Sequence, residues 1–384
     1  MRNFSPPVFY YHSVAPGLFK NWLLRFLTMK LANFEQQMAY LENHNFRSIF
    51  LDEWLRIRRG QKAGSGKEVC LTFDDGLLDN WVYAYPVAKK HGMKFTLFVS
   101  PECIEPRPVV RPTLENVWKG ECKEEDLQAL GYLSWEELKI MQESGVVDVQ
   151  SHTMTHAKYV CSTNLRGFYY GGFKGYHPIL NANPDLRATY MNDPEFEKRL
   201  PQGTPLFEEI SAVVAKKHAI SREFFREAGT LAQQHNLSDE AGRSNFEKAA
   251  RQLADDYGRV GNLIESIERD EDFRSRLVYE IVDSKRIIEE KLQKPVQFLC
   301  WPHGDNSSAA HTLAKDAGYL ATTSGKMLRE QQQMDRIPRL AADFDNGPWV
   351  NRMKFHYKIA AHYHRQPYYA IARMNELKNK LAQN

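Results

Sequence analysis

Two short stretches of this chain carry residue types that could do chemistry together. Residues 72–76 read TFDDG and residues 151–156 read SHTMTH. The adjacent carboxylates of Asp74 and Asp75 repel each other, which costs folding energy unless a positive group sits beside them. Two histidines four residues apart, His152 and His156, can aim both imidazoles at one ion from a helical turn or a tight loop. Each signal is weak alone, because Asp-Gly after a strand is a routine turn and a His pair at this spacing also occurs in polar loops. Together they supply one carboxylate and two imidazoles with a coordination position left open. That is the composition of a catalytic metal site, whereas structural zinc sites are closed and usually built from cysteine. One aspartate would bind the ion. Its neighbour would take a proton from a bound water, whose pKa a divalent ion brings towards about 7. Such a site attacks an ester or amide carbonyl, and it also needs an oxyanion donor and a general acid. Zinc suits two His and one Asp, and nickel, cobalt or iron can occupy the same ligands.

The surrounding pattern predicts how these stretches meet. Phe34, Met38 and Leu41 share one helical face, and RSIFLDEWL reads as a short strand followed by a helix start. EVCLTFDDG reads as a buried strand with Val69, Leu71 and Phe73 on one side, ending in an Asp-Gly turn. NWVYAYPVAKKHG reads as a helix closed by His91-Gly92, with Pro86 as a point of bending. KFTLFVS is the next strand, LSWEELKIMQESG a helix with a Ser134–Glu137 capping box, and VVDVQS the strand that leads into the histidine pair. Later come a long helix near 275–292, the strand VQFLCWP, a Ser-capped helix near 308–317 and the strand YLATTS. Repeated strand–helix–strand units with short links predict an α/β fold. It has a mostly parallel sheet with helices outside, open or closed into a barrel. Sites in such folds lie at the C-terminal ends of the strands, where TFDDG, QSHTMTH and CWPHG all fall. Residues 157–272 break the rhythm. A Gly-, Tyr- and Asn-rich start gives way to charged segments (SAVVAKKHA, SREFFREAGTLAQQH, NFEKAARQLADDYG) that read as helices. They predict a largely helical insertion within one domain spanning 1–384, serving as a solvated cover or as an aromatic wall for a sugar.

Composition excludes several classes. The chain has 384 residues, 42% of them apolar, which is enough for a sizeable core. Five cysteines, Cys70, Cys103, Cys122, Cys161 and Cys300, form no CxxC pair, which argues against a disulfide framework or a zinc ribbon. No apolar run approaches the roughly 20 residues that span a bilayer. The first residues, MRNFSPPVFYYHS, contain no apolar core of a secretory signal, which predicts a cytoplasmic protein. The net charge of +3 is uneven, with basic ends at 1–30 and 351–384 around an acidic middle. Residues 16–31 place Phe19, Trp22, Leu23 and Phe26 opposite Asn21, Arg25 and Thr28. This reads as an amphipathic helix that either packs on the barrel or lies on the inner face of a membrane. The basic, aromatic segment 351–384 reads as a helical tail that packs last or assists the same peripheral contact. Nucleic acid is not an expected partner, since no recognised module accompanies the charge.

TFDDG, then SHTMTH, then a strand ending in P-x-G resemble, in that order, the polysaccharide deacetylases of carbohydrate esterase family four. PPVFYYHSV and FEQQMAYLENHNFRSIFLDE resemble the biofilm and surface-polysaccharide branch. The resemblance covers roughly 6–156 and 275–340. It implies a distorted (β/α) barrel and metal-dependent hydrolysis of N-acyl groups on sugars. Carried over by position, Asp74 resembles the general base and Asp75, His152 and His156 the metal ligands. Arg339 of RIPRL resembles an arginine that orients the base. CWPHG resembles the oxyanion loop, which implies substrate contacts near Trp301, His303 and Gly304. Two departures stand out. Trp301 occupies a position where many members have arginine, and no late Leu-x-x-His supplies the acid. His303 is the first candidate for that role, with His12 and His356 behind it, and His12 is also placed as a substrate contact. The implied substrate is an N-acylated, foremost N-acetylated, sugar on a nucleotide or lipid carrier in surface glycan biosynthesis. The alternatives are a deformylase on a lipid-linked aminosugar, or a non-catalytic glycan-binding or assembly protein on the same fold.

Overall fold

The computed structural model describes residues 5–17, 26–171, 201–324, 333–342 and 347–382. Its centre is a nine-stranded sheet in which every pairing is parallel. The strand order runs Arg336–Ile337, Ala321–Thr323, Phe298–Leu299, Val147–Ser151, Phe95–Val99, Glu68–Phe73, Val8–Tyr11 and Leu340–Ala341, with Arg47–Ser48 paired to Glu68–Phe73. The first and last members of that order are two residues apart in sequence. Ile337 pairs with Thr323 and Leu340 with Phe9, so Pro338 and Arg339 bridge the two ends of the sheet. The sheet therefore curls into a barrel whose seam is one broken strand. Proline has no N–H to give a ladder, and it stands where the strand changes partner.

Alternation along the strands sorts the two faces. Phe9, Leu71, Phe73, Leu97, Val149 and Leu299 point outwards into a large apolar cluster shared with the surrounding helices. Val8, Cys70, Phe98, Phe298, Cys300, Ala321 and Ile337 point inwards. There they meet Trp54 and Leu55 of the helix Leu51–Arg58, which plugs the end where the strands begin. Trp54 Nε1 donates to the Pro6 carbonyl at 2.8 Å and fixes that plug. A parallel sheet covered on both faces buries nearly every side chain, as all six residues of Glu68–Phe73 show. The opposite end of the barrel, where the strands finish, is left to polar residues.

The insertion begins with an antiparallel pair, Lys158–Phe168 with Pro205–Ser211, backed by the helices Arg222–Gln233 and Glu240–Arg259. SAVVAKKHA is not a helix. Ala212 and Val213 are buried in a turn, and His218–Ile220 forms a strand against Ile264–Ile267. The charged run misleads there because its period is read over too few residues to separate strand from helix. The chain returns to the barrel through a continuous helix over 270–292 with a widened π turn at Tyr279–Asp283.

The N-terminal end differs from expectation. Of the anticipated amphipathic helix, 18–25 lie outside the described residues, and Thr28–Lys30 is a strand paired in parallel with Ser13–Ala15. Thr28 Oγ1 donates to Ser13 Oγ at 2.9 Å, an attachment that a helix could not make at this register. The helix Pro348–His362 packs on the barrel wall. Its Phe355 is 1% exposed, with its ring 4.7 Å from that of Phe9.

Candidate metal and hydrolytic site

The barrel positions its polar end by register. Thr72 faces inwards, and Asp74, two residues on, continues that face just past the strand. Asp75 and Gly76 then adopt left-handed backbone angles, φ 74° and 68°, which swing the second carboxylate off the strand direction. The neighbours become neighbours in function only through this turn, because two residues of one strand would point to opposite faces. His152 follows Ser151 in the same way, and the loop behind it turns through Thr153 (φ 65°) to bring His156 (φ 56°) back to the same point.

The structure brings the three expected ligands together. Asp75 Oδ1 lies 3.3 Å from His152 Nε2 and 3.2 Å from His156 Nε2. All three residues are buried. His152 Nδ1 hydrogen-bonds the Cys300 carbonyl at 2.8 Å, so that nitrogen carries the proton and Nε2 turns its lone pair to the shared centre. One carboxylate oxygen and two imidazole nitrogens converging from one side fit a divalent cation of the zinc type and leave coordination positions open. A second trio, Asp74, His152 and Cys300, also lies close together. It fits a cation less well, because Arg339 Nη1 already donates to Asp74 Oδ1 at 2.6 Å and brings its own positive charge.

Asp74 sits in a different environment from Asp75. Besides Arg339, His12 Nε2 is 3.8 Å from its Oδ2, and the Cys300 thiol donates to the same oxygen at 3.7 Å. Burial works against its ionisation. Arg339, then His152 and His12, overcome that and hold its pKa below the usual carboxylate range. The Arg339 guanidinium lies over the Tyr10 ring, 4.9 Å from its centre, and burial's pull on its own charge is outweighed by Asp74. Burial also opposes charge on Asp75, and His156 and His152 carry that carboxyl well below its ordinary value. Asp79, the third acid of the stretch, belongs elsewhere. It accepts from Ser13 Oγ and from Asn80 Nδ2, and burial pushes its carboxyl up to about 8.

The P-x-G loop differs from expectation in two places. Trp301 is fully buried among outward-facing core residues, since Cys300 takes the inward position and alternation sends its neighbour the other way. Its ring offers no face to a sugar. The Gly304 N–H donates to the Trp301 carbonyl at 3.1 Å, so an oxyanion must find another donor. His303 does reach the site, its ring 4.5 Å from that of His156. Burial, then the positive charge of His156 and Lys158, holds its pKa well below the usual histidine range. His356 is remote, bonded to the Tyr40 hydroxyl at 2.7 Å, and His362 is bonded to the Ser5 carbonyl. Residues 172–200, most of the Gly-, Tyr- and Asn-rich stretch, and 343–346 lie outside the described residues.

Sequence reading missed Glu280. This buried carboxylate accepts from the backbone N–H of Met154 and of Thr155, both at 3.1 Å, and from Thr155 Oγ1 at 2.5 Å. It sits in the π turn of the 270–292 helix, with no motif around it.

Residues 61–217 match the family model for polysaccharide deacetylase. That segment of the chain is therefore similar to the polysaccharide deacetylases. YxkH of Bacillus subtilis, named as a polysaccharide deacetylase, is 29% identical over 150 residues, 39% of this chain and 43% of that protein. A poly-β-1,6-N-acetyl-D-glucosamine N-deacetylase of Staphylococcus aureus is 26% identical over 154 residues, 37% of this chain and 46% of that protein. The chain thus matches under half the length of either curated relative. A solved structure of a de-N-acetylase from Aggregatibacter actinomycetemcomitans shares the fold at 16% identity, with a TM-score of 0.52, covering 91% of this chain and 98% of that one. The BpsB deacetylase domain of Bordetella bronchiseptica does so at 14% identity and a TM-score of 0.50, covering 89% and 97%. The parallel sheet with helices outside that the strand pattern predicts, closed as the distorted (β/α) barrel that the resemblance implies, is the fold observed.

Proposed function

We propose that this chain is a metal-dependent hydrolase that removes the N-acetyl group of an N-acetylated amino sugar. One observation carries the reading: Asp75, His152 and His156 converge on a single point beside a second carboxylate, Asp74, that is locked to Arg339. A divalent ion bound there would supply a water of pKa near 7 and polarise the acyl carbonyl. The chain's own residues would do the rest. Asp74, kept ionised by Arg339, accepts the proton of the attacking water. Its other oxygen faces His12, which can carry that proton to the leaving amine. His303 was the first candidate for this acid, but its imidazole is held neutral at ordinary pH, and a general acid must arrive protonated. His303 instead walls the metal side of the pocket against His156. The names of the curated relatives support an N-acetylglucosamine-type substrate, and the family's implied chemistry supports the acetamide over other amides.

Asp75→Ala should remove both bound metal, measured by elemental analysis, and release of acetate from a panel of N-acyl amino sugars. Retained turnover without metal would sink the assignment. Formate release in place of acetate on the same panel would move the protein to the deformylase alternative. His12→Gln should lower kcat by about 10²-fold with metal content unchanged, the usual contribution of a positioned acid. His303→Gln should retain most of the activity, and the opposite ranking would restore His303 as the donor.

A further inference from the structure

The two histidines of the site reach it through a loop that has little support of its own. Thr153 and His156 both have positive φ, a backbone state that costs L-residues about 1–3 kcal/mol and persists only where surroundings impose it. Neighbours on two sides impose it here. On one side, the Met154 carbonyl accepts from the Glu102 N–H at 3.2 Å, and Ser100 Oγ donates to the His152 carbonyl at 2.9 Å. On the other side stands Glu280. Its carboxylate takes the N–H groups of Met154 and Thr155 and the Thr155 hydroxyl, and Thr155 Oγ1 in turn accepts from the Ala157 N–H at 3.0 Å. The adjacent Tyr279 hydroxyl donates to Glu102, so one helix turn grips both sides of the loop. The π turn at Tyr279–Asp283 makes this possible by adding a residue to the helix where it passes the loop.

We infer that Glu280 is the positioning residue of the metal site: it fixes the His152–His156 loop so that both Nε2 atoms face Asp75, without touching the metal or substrate. The inference rests on the metal site proposed above. Glu280 sits 125 and 126 residues along the chain from Thr155 and Met154, on the helix by which the chain returns from the insertion. The insertion's exit and the metal ligands are therefore mechanically joined through one carboxylate.

The test is Zn2+ binding to metal-stripped, full-length protein, measured by competition with a chromogenic chelator, with folding checked by circular dichroism. Glu280→Ala should weaken Zn2+ binding ~10–100-fold, the usual effect of losing a group that orients ligands. Glu280→Gln, whose amide oxygen can still accept from the two N–H groups, should stay much closer to wild type. Thr155→Val, which removes one hydrogen-bond donor to Glu280 and keeps the shape, should fall between them. A purely structural role would lower the unfolding midpoint and leave the Zn2+ Kd of the folded protein unchanged. If Glu280→Ala does not fold, Thr155→Val decides the matter, and a wild-type Kd in that variant overturns the inference. Wild-type protein that takes up no Zn2+, Co2+ or Ni2+ overturns the metal site itself. Wild-type protein that binds metal while every variant binds equally well overturns only the role of Glu280.

Discussion

Arg339 sets the charge state of the proposed base. Arg339→Met keeps the bulk against Tyr10 and deletes the guanidinium 2.6 Å from Asp74. Burial, the strongest influence on Asp74, is then opposed chiefly by His152 and His12, so its pKa rises. The acidic limb of the pH–rate profile should move to higher pH, with kcat falling more at pH 5.5 than at pH 8. An unmoved limb would show that Arg339 does not govern Asp74. The stability effect has a fixed sign. Asp74's folded pKa is depressed, so the pair stabilises the fold above the unfolded value of about 3.9, and that stability is lost as pH falls through the folded pKa. At neutral pH, breaking such a buried pair costs about 3–5 kcal/mol, readable in the urea midpoint. The four residues Asp74, Asp75, His152 and His156 were legible because spacing and residue type carry metal chemistry directly. Arg339 was legible only through resemblance, since a lone arginine near Pro338 has no spacing rule. Glu280 was not legible at all, because it acts on backbone N–H groups that any sequence would offer.

At the level of elements, the Asp-Asp-Gly turn is the most demanding piece of backbone. A Cβ built on Gly76 would stand 3.0 Å from Val99 Cγ1, at a φ of 68° that side chains resist. Gly76→Ala should cost about 1–3 kcal/mol in chemical denaturation, from backbone strain with added crowding. It should also weaken metal binding, because Asp75 is aimed by that turn. Unchanged metal affinity would show that Asp75 finds its place independently of it. The strands that carry the site could be read from sequence because burial on both faces makes them apolar throughout. Their ends could be read because the chemistry sits just beyond. The mistaken elements share one property: they are short. Thr28–Lys30 and His218–Ile220 have three residues each, too few for a period to declare itself before their partners choose the conformation. Trp301 was misplaced for a related reason. Its role follows from which face Cys300 takes, and that alternation is fixed by a register that two-residue strands do not reveal.

For the molecule as a whole, the C-terminal helix Pro348–His362 belongs to the barrel's outer layer. Phe355 fills a space between Phe9 and Tyr40, and Gln37 bonds the Asn351 side chain at 2.6 Å across the same contact. Phe355→Ala should cost about 3–5 kcal/mol of global stability, typical for a fully buried aromatic ring. The Zn2+ affinity of the protein that remains folded should not change. A small loss of stability would mark the helix as an appendage. The seam at 336–341 has a consequence of a different kind. The stretch that shuts the cylinder is also the stretch that delivers Arg339 to Asp74, and it is followed by the helix that holds the wall in place. A nascent or clipped chain that ends before the seam can present Asp75, His152 and His156, but its base lacks the cation that keeps it ionised. The fold thus works as an interlock, in which the proposed hydrolytic site is armed only by the same movement that seals its housing.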